Sequence, residues 1–461
     1  MVPTLGVSLY YHEAGFPDLL MSILSTFAIG GVLYASTWRF RFAEPGVRES
    51  LVIAAMGWII LALLGCFPFL FTGTIPRFVD AYFESMSGFT TTGSSILINI
   101  EALPKSILLW RSETHWIGGM GIIVLVVAIM PFLKINGMQL FSSEASVVVE
   151  EKISTKVRYI ARNIWLIYVG FTVAETFLLT IGGMPLFDSI CHSFATVATG
   201  GFSTKNTSIA DYSPYIQYVI MIFMALSGIN FALHVLAVQG KYKTALRNQE
   251  LHLYLKIILL VGLIITFLLY FSKDMPLEKA FRDSFFQVIS VITATGFATA
   301  DYLTWPVQAI ILIAFLMLIG ACAGSTGGGV KVIRHVINLQ YLKQSLKRVL
   351  HPKAVFNIRY NNHILSSTQV SSVMTFILIY YGIVIIGTFA MVGLGTDWGT
   401  AFGSVLTTMG GIGPGFGAVG PASNFALLSD PEKYLLSFTM LLGRLEIFPV
   451  LSLFTNWFWR T

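Results

Sequence analysis

Charge is scarce in this chain. Only 11% of its 461 residues are Asp, Glu, Lys or Arg, against about 25% in a soluble domain. That excludes a string of soluble domains. Cysteine is scarcer still: Cys66, Cys191 and Cys322 are scattered through apolar or small-residue surroundings. An odd, dispersed set provides neither a disulfide framework nor the close spacing of a zinc site. The start, MVPTLGVSLYYHEAG, lacks a basic region ahead of an apolar stretch, so no cleavable signal peptide is expected. The net charge of +6 sits in loops between apolar segments, a pattern that argues against nucleic-acid binding.

What the chain has instead is apolar residues, 55% of the total, and a mean hydropathy of +0.75. Several runs reach the ~20 residues a helix needs to cross a bilayer. Spans are expected near 18–38, 50–71, 112–133, 160–182, 215–238, 253–271, 305–340 (interrupted), 369–393 and 434–457. The fold expected is an all-α polytopic membrane protein.

Basic residues set the orientation of such a chain. One set of loops holds 19 of them: Arg39, Arg41 and Arg48; Lys134, Lys152, Lys156, Arg158 and Arg162; Lys241, Lys243, Arg247 and Lys256; and seven from Lys331 to Arg359. The opposite loops hold seven, among them Arg77, Lys105, Lys205 and Lys433. The first set is expected in the cytoplasm, and the opposite loops and the N-terminus outside.

The outer connections are unusual. Each contains a semi-polar stretch too short to span, as expected of a half-helix that enters the membrane and returns as extended chain. Four such windows align on a glycine: AYFESMSGFTTTG (81–93), DSICHSFATVATG (188–200), SFFQVISVITATG (284–296) and AFGSVLTTMGGIG (401–413). Their identity is weak, and their shared position between two spans carries the comparison. The expected architecture is four membrane–pore–membrane units at 49–135, 157–240, 250–350 and 366–461, around one ion pore. One extra helix within 1–48 precedes them.

This arrangement has a physical use. A bare cation in hydrocarbon is prohibitively costly, and inward-facing carbonyls can replace its hydration shell. Aiming consecutive carbonyls inward needs unusual φ/ψ values, which glycine adopts without steric cost. The candidate ion-binding residues are therefore Thr92, Gly93, Thr199, Gly200, Thr295, Gly296, Ile412 and Gly413. Close helix packing is the ordinary alternative for these glycines. Asp80, Asp188, Asp283 and Asp397, near the outer half-helix starts, read as caps or as a cation-attracting vestibule.

Two further features lie in the spans. GACAGSTGGGVK at 320–331 lacks the G-K-[ST] ending of a phosphate-binding loop. Its glycines break a helix in mid-membrane, which makes Gly320, Gly324, Ser325, Thr326, Gly327, Gly328, Gly329 and Lys331 a candidate gate below the filter, or a packing kink. LLGRLEIFPVL (441–451) puts Arg444 and Glu446 in the last span, and an intramembrane charge points to function. Two residues apart, they do not share a helix face. Arg444 can reach the carbonyls of the glycine loop, stand in the pore as a positive barrier, or bridge to another helix. His115, His192 and His234 lack partner spacing and read as packing or capping residues.

These motifs together resemble the TrkH/TrkG-type potassium transporter subunits, in the superfamily of KtrB and the plant HKT transporters. The residues that carry the resemblance are SGFTTTG (87–93), HWIGGMGIIVLVVAIMP (115–131), the gapped stretch within 182–204, TATGF (293–297), GSTGGGVK (324–331), IGPGFG (412–417) and GRLEIF (443–448). The resemblance implies four membrane–pore–membrane units and a homodimer with one pore per protomer. It also implies K+ uptake across a bacterial cytoplasmic (inner) membrane, with TrkA- or KtrA-like subunits on the cytosolic side carrying the regulatory nucleotide. It makes Gly93, Gly200, Gly296 and Gly413 the filter glycines, 320–331 the gating loop and Arg444 the constriction. In the plant branch a serine at the first filter glycine favours Na+, so Gly93 favours K+. Two departures stand out. The fourth window has no Thr-Gly, so its share of the filter is expected to be asymmetric. Two helices usually precede the first unit where one is expected here, so PTLGVSLYYHEAG reads as the tail of a missing helix and the chain as N-terminally short.

The expected function is K+ conduction down the electrochemical gradient, with K+ as cargo, no cofactor on this chain and no catalytic constellation. Na+ transport, or Na+/K+ or H+/K+ coupling through carboxylates such as Glu84 and Glu175, is the alternative within the same fold. A membrane metalloenzyme using Glu113 and the histidines His115, His192 and His234, or a non-conducting sensor, is remote.

Overall fold

A computed structural model describes residues 1–40, 46–129, 153–353, 357–361 and 363–459 of the protein. Apart from one two-stranded hairpin, β1 (Arg359–Tyr360) and β2 (His363–Ile364), the regular structure described is helical. Arg41, Lys134 and Lys152, and the end of the 49–135 segment, lie outside the described residues.

Two helices, not one, precede the first candidate unit. Helix α1 (Val2–Tyr10) begins with Pro3 in its first turn and packs on α2 (Phe16–Thr37). The chain continues with α3 (Val47–Gly65), α4 (Phe67–Phe71), α5 (Phe78–Phe89) and α6 (Lys105–Ile129). Next come α7 (Ile153–Ile181), α8 (Leu186–Val197), α9 (Pro214–Ser227), α10 (Phe231–Val238) and α11 (Tyr242–Leu246). They are followed by α12 (Gln249–Lys273), α13 (Leu277–Ile292), α14 (Val307–Ile319) and α15 (Val332–Leu350). After the hairpin come α16 (Ser367–Gly393), α17 (Trp398–Gly410), α18 (Asp430–Arg444), α19 (Phe448–Ser452) and α20 (Asn456–Trp459).

Among the described residues, five helical stretches are long and apolar enough to span a bilayer: Phe16–Phe40, Arg48–Phe71, Ala161–Ile181, Gln249–Lys273 and Ser367–Gly393. Polarity is inverted relative to a soluble protein. Phe177, Phe267, Leu378, Ile386 and Phe389 face outward, whereas Thr92, Arg111, Glu175, Thr295 and Arg444 are buried. Lipid is the solvent that makes such a distribution stable, because it rewards apolar exposure and penalises unsatisfied polar groups.

Two expected spans are broken. The 215–238 span bends by 97° between α9 and α10. Asn230 caps α10 by accepting from Ala232 N at 2.9 Å. The polar groups freed at the bend are met from elsewhere: Cys322 N donates to Gly228 O, and Phe231 N donates to Gly324 O. The 434–457 span ends at Arg444, where Glu446 (φ 58°) and Ile447 (φ 65°) turn the chain into α19. The third interruption lies between α14 and α15, where residues 320–331 are not helical.

The packing of the four short helices α5, α8, α13 and α17 follows one scheme. Each lies against the long helix before it and, where described, the helix after it. Each also packs on a helix of another group: α6 on α8, α9 on α13, α14 on α17, and α18 back on α5. The last contact closes a ring.

Candidate ion pathway

The short helices end alike because the chain after each turns through the left-handed region. Positive φ occurs at Thr91 and Gly93, Thr199 and Gly201, Ala294 and Gly296, and Gly411 and Gly413. The hydrogen bonds closing the helices repeat in the same register. Thr92 N donates to Ser87 O, Gly200 N to Ala195 O, Thr295 N to Ser290 O, and Ile412 N to Thr407 O, at 2.8 to 2.9 Å. The equivalent residues are therefore Thr92, Gly200, Thr295 and Ile412, each followed by a glycine in the left-handed region.

This corrects the alignment drawn from sequence. In the second window Gly201, at φ 80°, stands where Gly93, Gly296 and Gly413 stand. Gly200 matches Thr92 instead. Anchoring the window on Thr-Gly misplaced it by one residue. The signal that identifies the correct register is Gly-Phe: Gly201-Phe202 corresponds to Gly296-Phe297. The fourth window, despite lacking Thr-Gly, follows the same backbone path, with Gly411 where the others use Thr or Ala. A non-glycine residue at positive φ is strained, so Gly411 makes the fourth turn the least strained of the four.

The four turns meet one another in cyclic order. A Cβ added at Gly93 would overlap the carbonyl oxygen of Gly200; at Gly201, that of Thr295; at Gly296, that of Ile412. A Cβ added at Gly413 would lie 2.9 Å from the carbonyl oxygen of Thr92. No side chain fits at these glycines, because each backbone abuts the next segment's carbonyl. Among the described residues, no protein donor reaches the carbonyl oxygens of Thr92, Gly200, Thr295 or Ile412. The neighbouring carbonyls of Phe297 and Pro414 are taken by Ser290 Oγ (2.7 Å) and Thr407 Oγ1 (3.0 Å). Four buried carbonyl oxygens in cyclic order without donors have the chemistry that can coordinate a cation.

Side chains hold the ring from behind. Thr90 pairs with Thr92, and Thr293 with Thr295, each at 2.8 Å between hydroxyls. Arg111 Nε donates to Glu84 Oε1 at 2.9 Å, and both side chains are essentially inaccessible. Glu84 also accepts from Ser95 Oγ and Ile96 N, while Arg111 donates to Ser203 O and lies over the Phe202 ring. This pair fastens the first turn to the second; nothing in the local sequence signals it. Glu84, a candidate for coupling, is thus engaged in structure. The Glu175 carboxylate is buried beside Thr196, and among the described residues no hydrogen bond of ordinary geometry reaches it.

The acidic residues do not all cap. Only Asp397 is an N-cap, accepting from Thr400 N at 2.9 Å. Asp80 pairs with the buried Lys433 at 2.6 Å. Asp188 accepts from Thr204 Oγ1 (2.8 Å), and Asp283 from Thr299 Oγ1 (3.1 Å). Asp80, Asp188 and Asp283 sit thirteen residues before Gly93, Gly201 and Gly296, and the fourth equivalent is Thr400. His115 stacks on Phe202 with ring centroids 4.0 Å apart, and His192 bridges Asp188 O and Ser203 Oγ. His234 meets Leu226 O. Glu113 accepts from Thr4 Oγ1. No group of three metal-ligating side chains occurs among the described residues.

The loop 320–331 lies against the inner ends of the ring. A Cβ at Gly327 would come within 2.6 Å of Thr293 O, and one at Gly328 would overlap Gly410 O. Lys331, at φ 76°, closes the loop by donating its N–H to Ile319 O at 2.8 Å. Thr326 Oγ1 donates to Val197 O at 3.1 Å. Arg444 is the loop's partner: Nη1 donates to Thr326 O at 2.8 Å and Nη2 to Gly118 O at 2.7 Å. No carboxylate pairs with Arg444 among the described residues. Glu446 turns away, to Lys331 Nζ (3.3 Å) and Arg334 Nη2 (2.6 Å). A cavity of about 10 Å³ beside the loop is lined by Thr90, Thr91, Gly328, Gly410, Gly411, Met440, Gly443 and Arg444. That is about the room one water needs.

Comparison with known proteins gives a consistent result. Residues 17–459 match the family model TrkH, described as a cation transport protein. The chain is similar to the Trk system potassium uptake protein TrkH of Salmonella typhimurium, with 38% identity over 98% of this chain and 94% of the relative. Its similarity to the Trk system potassium uptake protein TrkG of Escherichia coli is 34% over 100% and 95%. The crystal structure of the potassium transporter TrkH from Vibrio parahaemolyticus superposes with a TM-score of 0.91 at 33% identity. It covers all of this chain and 96% of that one.

Proposed function

The chain belongs to the TrkH family of cation transport proteins, a multi-pass membrane family and not one of enzymes, and from that premise we propose that it is the ion-conducting subunit of a K+ uptake system. The relatives' names supply the ion. The observation that carries the mechanism is the cyclic contact of Gly93, Gly201, Gly296 and Gly413 with the carbonyls of Gly200, Thr295, Ile412 and Thr92. Those four oxygens replace water around a dehydrated K+. In this reading the segments 49–135, 157–240, 250–350 and 366–461 act as four pseudo-equivalent units around one pore.

The C-terminal ends of α5, α8, α13 and α17 point at the ring, and their partial negative charge favours a cation there. The inner cavity is too small for a hydrated ion, so this conformation is closed. The loop 320–331 is the obstruction, and Arg444 is both its anchor and a positive barrier. Opening requires the loop to leave Thr326 O–Arg444. The driving force is the membrane potential, about 2.3 kcal/mol per charge per 100 mV.

The wider assembly is part of the same proposal: a homodimer in a bacterial inner membrane, with the glycine turns opening to the outside. A TrkA- or KtrA-like nucleotide-binding subunit on the basic cytoplasmic face controls opening. No nucleotide or other cofactor binds this chain.

The test is Rb+ uptake into proteoliposomes under an inside-negative potential, with K+ and Na+ as competitors. Uptake blocked by K+ and spared by Na+ in the parent, with selective uptake lost in Gly93→Ser, supports the reading. Equal block by both ions in the parent favours a Na+ or mixed transporter. Uptake that needs a pH gradient favours H+ coupling.

A further inference from the structure

The loop 320–331 is held at its roots as well as at its tip. Lys331 N donates to Ile319 O and Val332 N to Ala321 O, at 2.8 and 3.0 Å, so the two roots are paired with each other. Beside them lies Glu250, in the first turn of α12 and 1% exposed. Its Oε1 accepts from Ala323 N at 2.8 Å and from Ile333 N at 2.9 Å. One donor lies in the loop just after its first root. The other is a free N–H in the first turn of α15, which has no helical partner of its own. A single carboxylate oxygen thus satisfies a donor on each side of the glycine segment.

The start of α12 is itself fixed. Asn248 caps it by accepting from Leu251 N, and Gln249 N donates to Asn361 Oδ1 in the β1–β2 hairpin. Glu250 therefore reaches the loop from an anchored position.

We propose that Glu250 is a positioning residue that ties both roots of the 320–331 loop to α12 and so keeps the loop beneath the carbonyl ring. The inference rests on the reading of that loop as the obstruction, and the two are tested separately. The acceptor oxygen does the tying, so Glu250→Gln retains the tie. Glu250→Ala removes it, and Glu250→Asp withdraws the acceptor by one methylene.

Cys322 lies in the loop and is buried, as are Cys66 and Cys191. With Cys66→Ala and Cys191→Ala in the full chain, Cys322 is the sole thiol and reports loop exposure. Maleimide labelling of Cys322 and Rb+ uptake are measured on the same proteoliposomes. Loss of the shared acceptor for two buried N–H groups predicts about tenfold faster labelling in Glu250→Ala. Glu250→Gln should stay within about twofold of the parent, because its carbonyl still accepts.

Faster labelling with faster uptake supports both the tie and the gate. Faster labelling with unchanged uptake supports the tie and removes the loop's role as obstruction. Parent-rate labelling in folded Glu250→Ala overturns the tie. So does labelling of Glu250→Gln as fast as Glu250→Ala, since charge would then be the cause. If Glu250→Ala does not fold, parent-rate labelling of Glu250→Asp overturns it equally.

Discussion

Arg444 Nη1 donates to the carbonyl oxygen of Thr326 at 2.8 Å, so the end of α18 and the glycine loop 320–331 meet directly. They are 118 residues apart in sequence. The bond joins the two features proposed to narrow the ion path, a buried cation and a non-helical loop. Just beyond it α18 ends, and the turn at Glu446 and Ile447 brings Glu446 to Lys331 and Arg334.

Replacing Arg444 by Gln is expected to raise Rb+ uptake. The guanidinium repels a passing cation by about 2 kcal/mol at roughly 8 Å and an effective dielectric of about 20. An increase of up to about thirtyfold in initial rate follows, with K+ still preferred over Na+, because the carbonyl ring is untouched. A lost ion preference with no gain in rate would show instead that Arg444 supports the ring.

The corrected register separates two adjacent glycines. Gly201→Ala puts a Cβ at φ 80° into the Thr295 carbonyl. It is expected to abolish selective uptake or folding, as Gly296→Ala is. Gly200→Ala meets the His115 ring instead, a side chain that stands outside the ring of carbonyls. Gly200→Ala in a His115→Ala background relieves that overlap and is expected to recover K+-selective uptake. Competition assays on the two variants decide which glycine must lack a side chain against the next segment's carbonyl, and recovery for Gly201→Ala in the same background would contradict the assignment.

The Glu84–Arg111 pair is expected to behave as a structural fastener. Arg111→Met leaves a buried carboxylate unpaired, at a cost of about 3–5 kcal/mol, visible as a large drop in thermal stability in detergent. Glu84→Gln keeps an acceptor for Ser95 and Ile96, costs less, and retains uptake. If Glu84 carried a coupled proton, Glu84→Gln would instead abolish the pH dependence of uptake while leaving stability unchanged.

Much of the fold was legible because a bilayer imposes simple demands. Apolar runs of membrane length marked the helices, and short semi-polar windows between them marked α5, α8, α13 and α17. The exceptions have local causes. The 215–238 segment is apolar enough for one span, yet it breaks where Cys322 and Gly324 supply partners for Gly228 and Phe231 from 94 and 93 residues away. The second window slipped by one residue because Thr199-Gly200 imitates Thr92-Gly93, whereas backbone conformation makes Gly201 the equivalent.

The sequence by itself determined the class of protein, the number of half-helices and three of the four glycines that free the backbone, Gly93, Gly296 and Gly413, since hydrophobic length and φ preference are local properties. Only the tertiary structure decided which carbonyl each glycine abuts, that α18 closes the ring on α5, and that Glu84, Glu250 and Arg444 bind Arg111, the loop roots and Thr326. Those pairings join residues far apart in the chain. What selects them is the cost of leaving a buried charge or N–H unsatisfied, and that cost exists only once the helices have packed.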